Sequence, residues 1–196
     1  MEIFPSYIDK LKIMWYYGIN SEDIIKIRRQ DKALGFFFKR SVKEGNEKME
    51  TTGFIIKNKA IPQNAEKIVE RLTESGETVQ FVIVGDLELS GRYAETALIF
   101  TESAVVSYNG TEGDERRYEY KDMKEVESKR MYGNATLSAL MPNGKREVFF
   151  RYTYSVASLC DAAALFINHT NDGADKNEEL AIMAVTFERA LSVCPK

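Results

Sequence analysis

The feature that most narrows what this chain can fold into is a change of period near residue 78. Before it, apolar residues recur at helical spacing. After it, seven extended segments follow with short connections, and an amphipathic helix comes directly behind them. TVQFVIVGDLEL is rich in β-branched residues, and a turn at Ser90-Gly91 leads into GRYAETALIFT. SAVVSYNG ends in the Asn109-Gly110 turn signal; ERRYEYKD, MKEVESKR and NATLSALM come next. Pro142-Asn143-Gly144 turns the chain into KREVFFRYTY, where a period of two places Val148, Phe150, Tyr152 and Tyr154 on one face. Strands joined this closely pair as an antiparallel meander.

The helix that follows is expected over 155–168, with Ser155 as N-cap and Val156, Leu159, Cys160, Ala163 and Ile167 as its buried stripe. A strongly curved sheet of that size leaves one end or seam of its core uncovered, and a following helix can close it. Element order and length between Thr78 and Asn168 are those of the pleckstrin-homology (PH) superfold. The expected class is therefore α+β: a seven-stranded antiparallel PH-like barrel capped by a helix, with an N-terminal helical region and a final helix. The corresponding domains are 1–76, mainly helical, 77–170, the barrel with its cap, and 171–196, a helix from Leu180 to about Val193 after a polar patch.

In the N-terminal region, Ile8, Leu11, Met14 and Trp15 fall at helical spacing until Gly18. Asn20 or Ser21 can cap a second helix reaching Gln30. Phe36–Phe38 and Phe54–Ile56 read either as short strands or as anchors around a charged loop. Residues 63–75 form a helix by pattern, with Ile68, Val69 and Leu72 on one side and Gly76 as its stop.

An apolar share of 44% and a charged share of 29% are those of a globular protein, and 196 residues suffice to bury a core. A net charge of −3 argues against nucleic-acid binding, which needs a concentrated basic surface. No stretch approaches about 18 uncharged apolar residues, and the opening lacks the order of a signal peptide. The chain thus reads as cytoplasmic, with no direct membrane insertion. The sequons at Asn109, Asn134 and Asn168 then read as chance matches.

No catalytic constellation stands out, so the chain does not read as an enzyme. The one histidine, His169, lies at a helix end with no partner suggested by sequence. Phosphate-loop and dinucleotide fingerprints are missing, and Gly85 reads as a strand bulge or bend. The acidic clusters at 112–115 and 172–179 lack the ligand alternation of a calcium loop. Glu88 and Glu95, flanking the first hairpin turn, are the one carboxylate pair worth inspecting. Cys160 reads as a buried reduced thiol. Trp15-Tyr16-Tyr17 and Phe36-Phe37-Phe38 either pack inward or form a docking surface. Arg116-Arg117 and Lys129-Arg130 are the basic runs. Lipid-binding members of the superfold place their cations on the first hairpin loop, where this chain has only Arg92, which argues against head-group binding.

The segment GDLELSGRYAETALIFTESAVVSYNG resembles a stretch near the start of certain bacterial ABC-type exporters, carried here by Asp86, Leu87, Leu89, Gly91, Arg92, Tyr93 and Glu95, then Thr101 and Glu102. Basic residues often follow that turn in the family; here Ser103 and Ala104 stand instead. FFRYTYSVASLCDAAALFI is similar to the family's strand end leading into its capping helix. In such exporters the next helix runs into a zinc ribbon opening with a Cys-Pro-x-Cys-Gly knuckle, and Val193-Cys194-Pro195-Lys196 resembles that opening cut before its second cysteine. Cys194 would then be one ligand of a site needing four, so this chain holds no cofactor itself. Zinc and ATP would belong to the parent transporter. The resemblance implies a cytoplasmic accessory domain whose partners are other domains or subunits of the transporter. The competing reading is a free-standing PH-like module that binds a protein or lipid.

Overall fold

A computed structural model describes residues 55–192 of the chain. The two helices expected before residue 31, both aromatic triplets and Cys194 therefore lie outside the described residues. In chain order the elements are β1 (Ile56–Lys57), α1 (Gln63–Glu74), β2 (Val79–Leu87), β3 (Tyr93–Thr101), β4 (Ala104–Tyr108), β5 (Glu115–Glu119), β6 (Lys124–Met131), β7 (Asn134–Leu140), β8 (Arg146–Tyr152), α2 (Ala157–Asn171) and α3 (Lys176–Ser192). Single 3-10 turns, Tyr120–Asp122 and Tyr154–Val156, lead into β6 and α2. The class is α+β, and the seven expected strands are joined by a short eighth, β1.

The strands form one antiparallel sheet ordered β5-β4-β3-β2-β8-β7-β6, with β1 parallel to β2 beside this path. A closed barrel was the expectation. The sheet is open, because β5 and β6 end the hydrogen-bonded path without pairing. Its two halves, β2–β5 and β6–β8, meet where Leu87 pairs with Arg151 and nowhere else along β2. Along the rest of that edge, Ile56 and Lys57 pair with Phe81 and Val82. Beyond them the Asn58 side chain continues the ladder, donating to the Val84 carbonyl at 3.0 Å and accepting from the Val84 amide at 2.7 Å.

In β2–β4, alternate side chains enter two separate cores. Phe81, Ile83, Leu98, Phe100 and Val105 point inward, toward β6–β8, α2 and α3. Val82, Val84, Ala97, Ile99 and Val106 point outward beneath Ile61, Ala65, Ile68, Val69 and Leu72, most of them from α1. Burial on both faces explains why β2 is written as a near-continuous apolar run. Helix α1, assigned by sequence to the N-terminal region, thus covers the sheet and shares its compact unit.

The inner core centres on Phe81, stacked on Phe100 at 4.2 Å and met edge-on by Phe166 of α2 at 5.2 Å and Phe187 of α3 at 6.0 Å. The predicted stripe of α2 is buried throughout. Ser155 does not cap α2 as expected. It lies in the preceding 3-10 turn, whose cap is Thr153, and α2 begins at Ala157.

The expected single face of β8 is also corrected. Ser138 pairs with Val148 and Leu137 with Phe150, so Phe149 is an extra residue on β8. The bulge lets Phe149 and Phe150 both enter the core and leaves Val148 exposed; Tyr154, beyond the strand, is exposed too.

Helix α2 closes the seam between β5 and β6 with side chains. Asn168 accepts from the Val126 amide at 2.9 Å and donates to its carbonyl at 2.8 Å, standing in for a neighbouring strand. Asn171 donates to the carbonyls of Tyr120 and Met123 at 2.8 and 2.7 Å. At the far end, Ser107 donates to the carbonyl of the bulged Phe149, and Tyr118 donates to Glu147 at 2.9 Å.

Candidate functional site

The two strings that carry the exporter resemblance lie in separate parts of the sequence and meet at the β2–β8 corner. Asp86 joins them directly. One carboxylate oxygen accepts from the Thr153 amide at 3.0 Å; the other accepts from the hydroxyls of Thr153 and, at 3.1 Å, Ser155. The carboxylate thus fixes the chain between β8 and α2, and both its oxygens are engaged. Leu87 is buried at the pairing point with Arg151. Gly91 has φ +90°, a conformation that favours glycine, and it lies close against Arg151: a Cβ there would lie 2.7 Å from a guanidinium nitrogen, the movable end of that side chain.

The hairpin turn is tied in the same way. Glu88 accepts from the Ser90 hydroxyl at 2.7 Å and from Arg92 Nε at 3.0 Å, and these bonds, Ser90's foremost, hold its carboxyl below the ordinary value. A catalytic acid at neutral pH needs the opposite shift. Glu95 is exposed, and no hydrogen bond joins it to Glu88. Asn109 accepts from the Leu89 amide and donates to Asp114, each at 2.7 Å, which stitches the β4–β5 loop to this turn. Thr101 is buried, and its hydroxyl accepts from the amides of Ser103 and Ala104 across the next turn. Most of the resemblance is therefore written in residues that shape one corner.

The other expected residues are scattered. His169 lies in the last turn of α2, and Glu179 of α3, which sequence did not suggest, sits 3.1 Å from its Nδ1. Cys160 is fully buried, and burial pushes its thiol well up, which leaves it unreactive. Gly85 sits where β2 approaches β8 closely: a Cβ there would meet Phe150 at 2.6 Å and Thr96 at 2.7 Å. A register shift between Gly85 and Leu87 matches the expected bulge. At two sequons both amide atoms are committed, Asn109 in the loop stitch and Asn168 on β6.

The basic runs are largely neutralised. Arg116 faces Glu147 at 3.4 Å, Arg117 faces Glu77 at 2.9 Å and Glu119 at 2.7 Å, and Arg130 faces Asp161 at 3.1 Å. Arg71, Arg92 and Arg146 also have carboxylate partners. Arg151 has none among the described residues, and its Nε is buried without a hydrogen-bond acceptor. Nothing in the local sequence distinguishes Arg151 from the paired arginines, because its isolation depends on which strands flank it.

Among the described residues, no cluster of three or more His, Cys, Asp or Glu could hold a metal ion, and no helix is long and apolar enough to cross a membrane. No family model, no curated protein and no solved structure matches the chain.

Proposed function

We propose that this chain is a non-catalytic accessory module of a bacterial ABC-type exporter, acting through contacts with other domains or subunits on the cytoplasmic side. The observation that carries the reading is the joining of the two resemblance strings at one corner. Asp86 of the first bonds Thr153 of the second, and Gly91 of the first lies close against Arg151 of the second. A chance likeness in two distant stretches has no reason to converge on one set of mutual contacts.

The finer fold is proposed with it. A four-stranded and a three-stranded half, meeting at one corner and followed by a helix over the open seam, suit a PH-like barrel in which side chains complete the closure. Of the carboxylate pair Glu88 and Glu95, Glu88 ties the first hairpin turn and Glu95 is exposed with no bond to it, which supports the non-catalytic reading.

Reading the gene beyond codon 196 tests the proposal. It expects a second cysteine within three codons of Cys194, a further Cys-x-x-Cys pair, then apolar helices and a phosphate loop. A stop codon there, with no transporter gene adjoining, would overturn it in favour of a free-standing module.

A further inference from the structure

The outer faces of the two half-sheets differ in cover. That of β2–β5 lies under α1. That of β6–β8 carries Lys129, Thr136 and Arg151 in one cross-strand row, opposite the core face of Ala135, Leu137 and Phe150. Lys129 and Arg151 have no carboxylate partner among the described residues, although six other arginines do. Thr136 between them is small and buried. Met131 and Val148 flank the row at 44% and 41% exposure, and Tyr132, at the β6–β7 tip, is fully exposed.

We propose that this face seats an acidic segment of a partner protein, with its carboxylates on Lys129 and Arg151 and an apolar side chain against Met131 and Val148. Charge complementarity selects this occupant. In a chain of net charge −3, the face presents two cations without a carboxylate partner among the described residues, and the Nε of Arg151 has no acceptor among them. Arginine, methionine and tyrosine are also the side chains enriched at protein interfaces. The inference rests on the reading of the chain as a contact module, not on the identity of the transporter.

The test is selection of random twelve-residue peptides on phage against the immobilised 196-residue chain, followed by titration of the enriched peptides in solution. Enriched peptides should gain Asp and Glu beside an apolar residue. Their affinity should fall about tenfold in Arg151→Gln and severalfold in Tyr132→Ser, with Lys121→Gln unchanged. Tyr132→Ser lies on an exposed turn and guards against loss of binding through misfolding. Thermal melts of every variant check the rest. Enrichment without acidic residues, no enrichment, or equal binding by these variants would overturn the proposal. So would binding to phosphatidylserine vesicles that needs Lys129 and Arg151, which would make a membrane the occupant. Acidic peptides on this face together with a stop codon after Lys196 would remove the exporter and leave this inference standing.

Discussion

In β2, β3 and β4, alternate residues enter an inner core and an outer core beneath α1. In β6, β7 and β8 the apolar core lies on the inner face, and the outer face carries Glu127, Lys129, Thr136, Ser138 and Arg151 with the half-exposed Met131 and Val148 beside them. The first half is therefore fixed from both sides, while the second is fixed from one side and stitched at its edges by side chains. Burial of a large aliphatic side chain contributes about 1.5–3 kcal/mol, so the outer core alone gives the first half a stability reserve that the second lacks. The half with less reserve is also the half whose outer face no described helix covers, which suits contact with something outside the chain.

The sharpest way to break this comparison is to truncate matched outer-face positions. Ile99→Ala, beneath α1, should cost about 2–5 kcal/mol in urea unfolding, whereas Lys129→Ala should stay within about 0.5 kcal/mol. Equal costs would remove the distinction. Gly85→Ala tests the corner where the halves meet. Its Cβ would collide with Phe150 and Thr96, and the expected loss is about 1–3 kcal/mol. Asn168→Ala tests the side-chain seam: the Val126 amide and carbonyl lose their partner, at about 1–3 kcal/mol. An unchanged midpoint there would mean that the seam is closed by packing alone.

The smallest expected effect is at high pH. Burial, reinforced by Glu147, pushes the Tyr118 phenol up from 10.0 to about 12. The folded protein holds this proton more tightly than the unfolded chain does. Its contribution is therefore complete below pH 10 and is lost as pH rises through about 12. Tyr118→Phe should flatten that part of the stability profile, followed by denaturant midpoints across alkaline pH.

The strands were legible because β-branched runs and Asn-Gly or Ser-Gly turns are local signals. The stripe of α2 was legible because its period is local too. The α1 stripe Ile68, Val69 and Leu72 was readable in the same way, but its target was not, since nothing in residues 63–75 names the sheet it covers. The bulge at Phe149 was missed because KREVFFRYTY alternates acceptably in either register, and the partner strand decides which is used. The open sheet was missed because the asparagine side chains of Asn58, Asn168 and Asn171 bond its edges where strand pairing was expected to continue, a role that asparagine does not advertise locally. Of the candidate site, the string from Asp86 to Glu102 was visible. That Asp86 reaches Thr153 and that Arg151 stands without an acid among the described residues were not, because both are facts of long-range pairing.

Amide hydrogen exchange, resolved by residue, tests the asymmetry between the halves most directly. Val82, Ile83 and Ile99 should exchange only through global unfolding, whereas β6 should open earlier, at a lower free energy, and Asn168→Ala should remove the protection of Val126. Equal protection across β2–β4 and β6–β8, with Val126 unaffected by the substitution, would contradict the account of a sheet held from both sides in one half and stitched in the other.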